Sequence, residues 1–395
     1  MEASPRSDAA VGSGSAALSE TVKDIARRCG AAAVRIASAA PDDASRERFR
    51  AAIARGDLST WPYDDRYAGA ASDPATLLPG ARSVVCIAVP YATAPPRERR
   101  GYGRVSAYAW SADYHRRMQA LLRTIAAKID ELAGAPATRV ACDTAPLAER
   151  AFAARAGLGW VGKHTSLIVK GQGSAVFLGE IVTTLELEPD PPLRTSCGAC
   201  TRCVRACPTG ALRGDRTMDA TRCISDLTQR RDPIPRALRP LIGTWVWGCD
   251  LCNDACPPTA RAGTRGGRDA APLAGETAQP PLDHLLRLRG AAFRRLRATA
   301  MGWRGAAVLR RNAAVAMGNE LDRAHVPALA EALASDASAL VRGHAAWALG
   351  RIGSPPARRS LERALAVETD PGVREEIAAA LEPLRSPAAF KANSP

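Results

Sequence analysis

Eight of the eleven cysteines crowd into the sixty residues from Cys197 to Cys256. The first run is Cys197-x-x-Cys200-x-x-Cys203-x-x-x-Cys207-Pro208; Cys223 follows, and then Cys249-x-x-Cys252-x-x-x-Cys256-Pro257. Closely spaced thiolates suit a soft, charge-accepting centre, and runs ending in Cys-Pro suit iron–sulfur cubanes. Zinc is the competing ligand chemistry. It takes paired C-x-x-C units, often with histidine, whereas here the run holds four cysteines and the segment contains no histidine.

In bacterial-ferredoxin-like segments three neighbouring thiolates wrap one [4Fe–4S] cluster, and the fourth, before proline, ligates the other. By that logic one cluster takes Cys197, Cys200, Cys203 and Cys256, and the second takes Cys207, Cys223, Cys249 and Cys252. The stretch Ile224–Gly248 between two ligands of the second set is expected to loop out and to meet a substrate or partner. Cys29, Cys86 and Cys142 stand alone in apolar surroundings and read as small buried hydrophobes. Clusters move single electrons and do no organic chemistry, and a plain electron carrier does not need about 190 residues before them. An acceptor in the N-terminal part is therefore implied.

That part reads as mixed α/β. Val22, Ile25, Cys29 and Val34 fall near helical spacing, and Ser83–Val89 is a buried strand. Tyr114, Met118, Leu121, Ile125, Ile129 and Leu132 step along a long amphipathic helix, with Ser111 near its start and Gly134 past its end. A strand at Arg139–Cys142 leads to Asp143, Pro146 suits the first turn of a following helix, and Gly157–Gly159 stop it. Strands follow at Thr165–Val169 and Ala175–Leu187. The C-terminal part is repetitive: Leu309-Arg310-Arg311-Asn312, Val341-Arg342-Gly343-His344 and Val373-Arg374-Glu375-Glu376 recur at thirty-two residues, with Gly318 and Gly350 at matching offsets. Asp336 and Asp370 open the second and third units as caps. This is the pattern of stacked helix pairs, as in HEAT repeats. The expected division is a disordered lead at 1–19, an α/β domain at 20–190, a two-cluster domain at 191–260, a linker at 261–281 and the repeats at 282–395.

Net charge is +14 with a pI near 9.7, which favours a polyanionic partner or reflects a coding bias toward arginine. A stripe of Arg287, Arg289, Arg294, Arg295, Arg297, Arg304, Arg310 and Arg311, free of acids, suits phosphate tracking. Trp245, Trp247 and Trp303 suit either base stacking or core packing. No run is apolar enough to span a bilayer, and the first twenty residues lack a signal-peptide core, so a soluble cytoplasmic protein without membrane contact is expected.

The chain resembles the epoxyqueuosine reductase family. The likeness rests on Tyr108-Ala109-Trp110-Ser111-Ala112-Asp113-Tyr114-His115, on DTAPLAERAFAARAGLGWVGK at Asp143–Lys163, and on Gly179-Glu180-Ile181. It continues through Arg222–Thr228, Trp247-Gly248-Cys249-Asp250 and Arg311–Asn319. Ser111 stands where the family usually has glycine, and His164 where it has asparagine. The resemblance implies a multidomain fold: an α/β (α+β) cobalamin-binding domain, a bacterial-ferredoxin-like domain with two [4Fe–4S] clusters, and C-terminal HEAT-like repeats. It implies reduction of epoxyqueuosine to queuosine at the wobble nucleotide of tRNA. Electrons from an external donor would pass through the clusters to cobalamin, and the protein would act as a monomer. Asp143 would be the proton donor, with its pKa raised by burial or like charge. Arg66, Asp143, Leu167, Leu178, Ser225 and Asp250 would contact cobalamin, and Lys163 is a further candidate partner. A reductive dehalogenase would share these cofactors but has no use for the repeats or the arginine stripe. A cluster-bearing electron-transfer or RNA-binding scaffold is the non-enzymatic alternative.

Overall fold

The computed structural model describes residues 8–91, 97–263 and 275–382. In chain order its first elements are α1 (Asp8–Arg28), β1 (Ala33–Ser38), α2 (Asp43–Ala54), α3 (Asp65–Ser72), β2 (Ser83–Pro90), β3 (Arg104–Val105) and α4 (Tyr114–Ala133). Next come β4 (Thr138–Ala141), α5 (Glu149–Arg155), β5 (Gly159–Val161), β6 (Leu167–Val169), β7 (Val176–Thr183), α6 (Arg202–Ala206), α7 (Ile224–Gln229), β8 (Trp245–Trp247), α8 (Leu251–Asp254) and α9 (Pro257–Ala262). The last are α10 (Gly275–Ala278), α11 (Leu282–Leu286), α12 (Gly290–Leu296), α13 (Ala306–Glu320), α14 (Val326–Ser335), α15 (Ala339–Ile352), α16 (Pro355–Val367) and α17 (Pro371–Leu381).

The described residues gather into two compact units: one of 8–91, 107–226 and 249–263, the other of 97–106, 227–248 and 275–382. The α/β and cysteine segments thus share the first unit, and the chain between Cys223 and Cys249 passes into the second. Of the expected linker, residues 264–274 lie outside the described residues, as do residues 1–7 of the expected lead. Helix α1 begins at Asp8, inside that lead.

The first unit is built on an antiparallel sheet in the order β1-β2-β7-β4. β2 is buried along nearly its whole length, which explains its unbroken apolar sequence. On one face α4 lays Met118 and Leu122 against Gly179 of β7. On the other, Phe152 and Ala153 of α5 close over Cys86, Ala141 and Val182. Three boundaries differ from the sequence reading. Val34 belongs to β1, because the helix it seemed to continue stops at Arg28. α4 starts at Tyr114, three residues past Ser111, and Asp113 caps it by accepting from the His115 N–H. Pro146 precedes its helix, which starts at Glu149.

The second unit stacks α13, α15 and α17 through close helix approaches. A Cβ at Gly318 would lie 2.8 Å from Trp347 and 2.9 Å from the Ala348 backbone, and one at Gly350 2.7 Å from Ala380. That is why glycine recurs at the repeat interval. Asp370 caps α17 as expected. Asp336 instead takes Arg310 and Arg289 in ion pairs at 2.8 and 2.9 Å while also accepting the Ser338 N–H.

Candidate active site and cluster-binding segment

The eight thiols fall into two neighbourhoods. Cys256 feels the charge of Cys197 and Cys200, and Cys203 that of Cys256 and Cys197. Cys223 feels Cys207, and Cys249 feels Cys252 and Cys223. Cys252 feels Cys223 and Cys207, and also Cys203 across the divide. Burial, aided by these like charges, holds the thiols of Cys203, Cys223, Cys249, Cys252 and Cys256 above their ordinary range. Backbone N–H groups oppose it: Ser225 and Asp226 at the start of α7 donate to Cys223, Leu251 to Cys249, and Thr259 to Cys256. Grouped thiols facing backbone amide donors are the donor chemistry that suits iron–sulfur clusters.

Asp143 follows β4 in a left-handed turn, with φ at +55°. Its side chain is more than half exposed, and Oδ2 lies 2.9 Å from His115 Nε2. His115 Nδ1 lies 2.6 Å from Asp113 Oδ1, so the imidazole is clamped between two carboxylates. Hydrogen bonding to Asp143, ahead of the opposing effect of burial, raises the His115 pKa to about 9. The same bond, with a contribution from Tyr114, holds Asp143 below the ordinary carboxylate range. The expected upward shift of Asp143 is therefore reversed: the proton of this pair rests on the imidazole. The His115 and Tyr114 rings stack 4.1 Å apart, and Tyr114 in turn stacks on Phe177 of β7 at 4.4 Å, which fixes the pair against the sheet.

The other expected contacts, all within the first unit, sit in differing surroundings. Arg66 is exposed on α3, while Leu178 and Ser225 are half-buried. Leu167 is 2% exposed, packed into the core and paired with Val161 in the β5–β6 ladder. Asp250 is buried and accepts the Ala107 N–H at 2.7 Å, a bond that ties the cysteine segment to the chain ahead of α4. Lys163 stands in the β5–β6 turn. Beside it His164 is 3% exposed and held neutral by burial, its pKa lowered to about 4. The Ser166 N–H donates to its Nδ1, so Nε2 carries the hydrogen, and that buried donor has no partner among the described residues. Exposed Arg66 and half-buried Ser225 are the polar side chains of this set open to a ligand rimmed with amides, as cobalamin is.

The Ile224–Gly248 stretch is not a free loop. Arg311, fully buried on α13, donates to the carbonyls of Leu227, Arg230 and Asp232. Asn312 Nδ2 clips both ends of the stretch, donating to Thr228 O at 2.7 Å and Val246 O at 2.8 Å. His344 accepts the Ile234 N–H, and Arg239 pairs with Glu376 at 2.7 Å. Trp245 and Trp247 are core residues, 4% and 0% exposed. The arginine stripe thins accordingly. Arg310 and Arg289 serve Asp336, Arg287 pairs with Glu331, and Arg311 is interior. Arg294, Arg295 and Arg297 remain exposed on and just after α12, and half-exposed Trp303 lies under Arg304 at 3.7 Å.

Residues 72–144 match the family described as "Epoxyqueuosine reductase QueG, DUF1730". Residues 196–259 match a 4Fe-4S double cluster binding domain, and residues 304–382 match HEAT repeats. An epoxyqueuosine reductase of Gloeobacter violaceus is 39% identical over 77% of this chain and 98% of its own length. The chain belongs to the epoxyqueuosine reductase family. The Staphylococcus aureus epoxyqueuosine reductase is 34% identical over 82% of this chain and 86% of its own. A solved epoxyqueuosine reductase bound to a tRNA-Tyr epoxyqueuosine-modified stem loop aligns with a TM-score of 0.86 at 32% identity, covering 93% of this chain and 98% of that one. A Bacillus subtilis epoxyqueuosine reductase structure, with a TM-score of 0.86 and the same identity and coverage, is described with its catalytic loop swung out of the active site. Two residues of this centre, His115 and Glu149, stood inside the family motifs without an assigned role. Their signal was position, at the starts of helices on either side of Asp143.

Proposed function

We propose that the protein reduces epoxyqueuosine to queuosine in tRNA, with Asp143 and His115 acting together as the proton-delivering pair. The observation that carries the assignment is the clamped imidazolium hydrogen-bonded to the Asp143 carboxylate, in the same unit as the eight thiols. Deoxygenating an epoxide to an alkene consumes two electrons and two protons and releases water. When bound, the clusters and cobalamin supply the electron transfer and a nucleophilic or reducing metal. Cys197, Cys200, Cys203 and Cys256 would hold one cluster, and Cys207, Cys223, Cys249 and Cys252 the other. Arg66, Asp143, Leu167, Leu178, Ser225 and Asp250 would hold the corrin.

The remaining chemistry is proton handling. Asp143 presents its carboxyl to the epoxide oxygen and passes on the proton held on His115 Nε2. His115 remains charged up to about pH 9, so the pair is loaded at neutrality. Arg294, Arg295 and Arg297 supply phosphate contacts to the anticodon stem. An external electron donor reduces the clusters, the chain acts as a monomer, and the reaction takes place in the cytoplasm. Replacing Asp143 with asparagine tests the assignment: Asp143→Asn should keep both clusters and cobalamin yet fall in turnover by about 10²–10⁴. Turnover at the wild-type rate removes Asp143 from the reaction.

A further inference from the structure

One buried acid stands outside this chemistry. Glu180 lies mid-strand in β7, paired across the sheet with Cys86 and Ala141, and is 0% exposed. Among the described residues no amide, hydroxyl or guanidinium donor reaches either of its carboxyl oxygens. What it meets is the carboxyl of Glu149, the first residue of α5. Glu149 in turn accepts the backbone N–H of Asp143. Glu180 is fully buried and Glu149 half-buried, and two carboxyls that touch in such a site do not both ionise.

We propose that Glu149 and Glu180 share one proton and form a positioning latch that holds Asp143 in its left-handed turn against His115. The inference rests on the role assigned to Asp143 and extends it to two residues that touch no reacting atom. The logic is a chain of acceptors. Asp143, a non-glycine residue at positive φ, occupies a costly conformation that its surroundings must enforce. The enforcing bond is the one from its N–H to Glu149 Oε1. Glu149 can aim that oxygen outward because its other oxygen is fixed from beneath by the shared proton. Glu180 is anchored by the sheet and cannot turn away. Burial, the largest influence, lifts both carboxyls above their ordinary range, as sharing a proton requires.

The test uses the reconstituted protein and three readouts: hydrogen exchange at the Asp143 amide, the infrared band of a protonated carboxyl at pH 7, and kcat against KM for modified tRNA. The wild type should show that band, and Glu180→Gln should abolish it. Glu149→Ala should speed Asp143 amide exchange at least tenfold and lower kcat at least tenfold with KM unchanged. Glu149→Gln offers a carbonyl to Asp143 and an N–H to Glu180, so it should restore both protection and kcat. Absence of the wild-type band overturns the shared proton. Wild-type exchange and kcat in Glu149→Ala overturn the latch. If Glu149→Ala does not fold, loss of protection in a folded Glu149→Gln variant overturns it equally. Should Asp143→Asn turn over normally, the role of Asp143 fails; should Asp143→Asn be inert while Glu149→Ala behaves as wild type, only the latch fails.

Discussion

A histidine between two aspartates sets the acid–base behaviour of this site. The sign of its linkage follows from the direction of the shift. The folded pKa of His115 is raised from 6.5 to about 9, so its contribution to stability is fully present below pH 6.5 and is lost as pH rises through 9. Asp143 is shifted down, so its share is present above its unfolded value near 3.8 and is lost as pH falls below it. The pair is therefore intact across the neutral range. Because the Asp143 hydrogen bond is the largest cause of the shift, Asp143→Asn should bring the His115 midpoint down from about 9 toward 6.5 when the ring is followed by NMR. A midpoint that stays near 9 assigns the shift to Asp113 alone. The sequence made Asp143 visible through its motif but misjudged its protonation. That depends on where a ring on a distant helix lands, and helical periodicity tells nothing of it. Glu180 was hidden for a similar reason: within Phe177–Thr183 it reads as one polar residue in an apolar strand, and its partner lies thirty-one positions earlier.

Among the elements, the stretch joining Cys223 to Cys249 shows how a ligand spacing that looks broken is compatible with a compact fold. Its conformation is set by side chains from α13, above all Arg311 and Asn312, which satisfy the carbonyls a free loop would offer to water. Arg311→Ala leaves those carbonyls and the buried Asn312 Oδ1 without their donor. It should cost about 2–4 kcal/mol in denaturant unfolding. Unchanged stability would mean that the stretch is held by its tryptophans alone. Gly318→Ala drives a methyl into Trp347 and the Ala348 backbone, and about 1–3 kcal/mol is expected from the overpacking, read as a lower melting temperature. The repeat interval was legible because α13 and α15 are each buried nearly all round and need glycine at the crossing, Gly318 and Gly350, thirty-two residues apart. The burial of Trp245 and Trp247 was not, because a tryptophan beside a turn has the same sequence signature whether it stacks on a base or fills a core. β1 and β5 were missed where short strands border glycine and the neighbouring helical periodicity runs on.

For the whole molecule, the strong positive charge is partly internal. Arg310, Arg311 and Arg239 sit in the core of the repeat unit with carboxylates or carbonyls. Of the arginine stripe, Arg294, Arg295 and Arg297 remain exposed. Changing all three to alanine should weaken tRNA binding and flatten the dependence of log Kd on log salt by about one for each phosphate no longer neutralised. An unaltered salt slope would move the RNA surface elsewhere. Among the described residues no helix is long and apolar enough to cross a membrane. The central claim, that this chain turns epoxyqueuosine into queuosine, is tested most directly by nucleoside analysis of epoxyqueuosine-containing tRNA. The tRNA is incubated without oxygen with the cluster-reconstituted, reduced protein and cobalamin. The account predicts queuosine appearing in the wild-type digest and absent from that of Asp143→Asn. Epoxyqueuosine left intact by a wild-type protein whose clusters are spectroscopically reduced would contradict it.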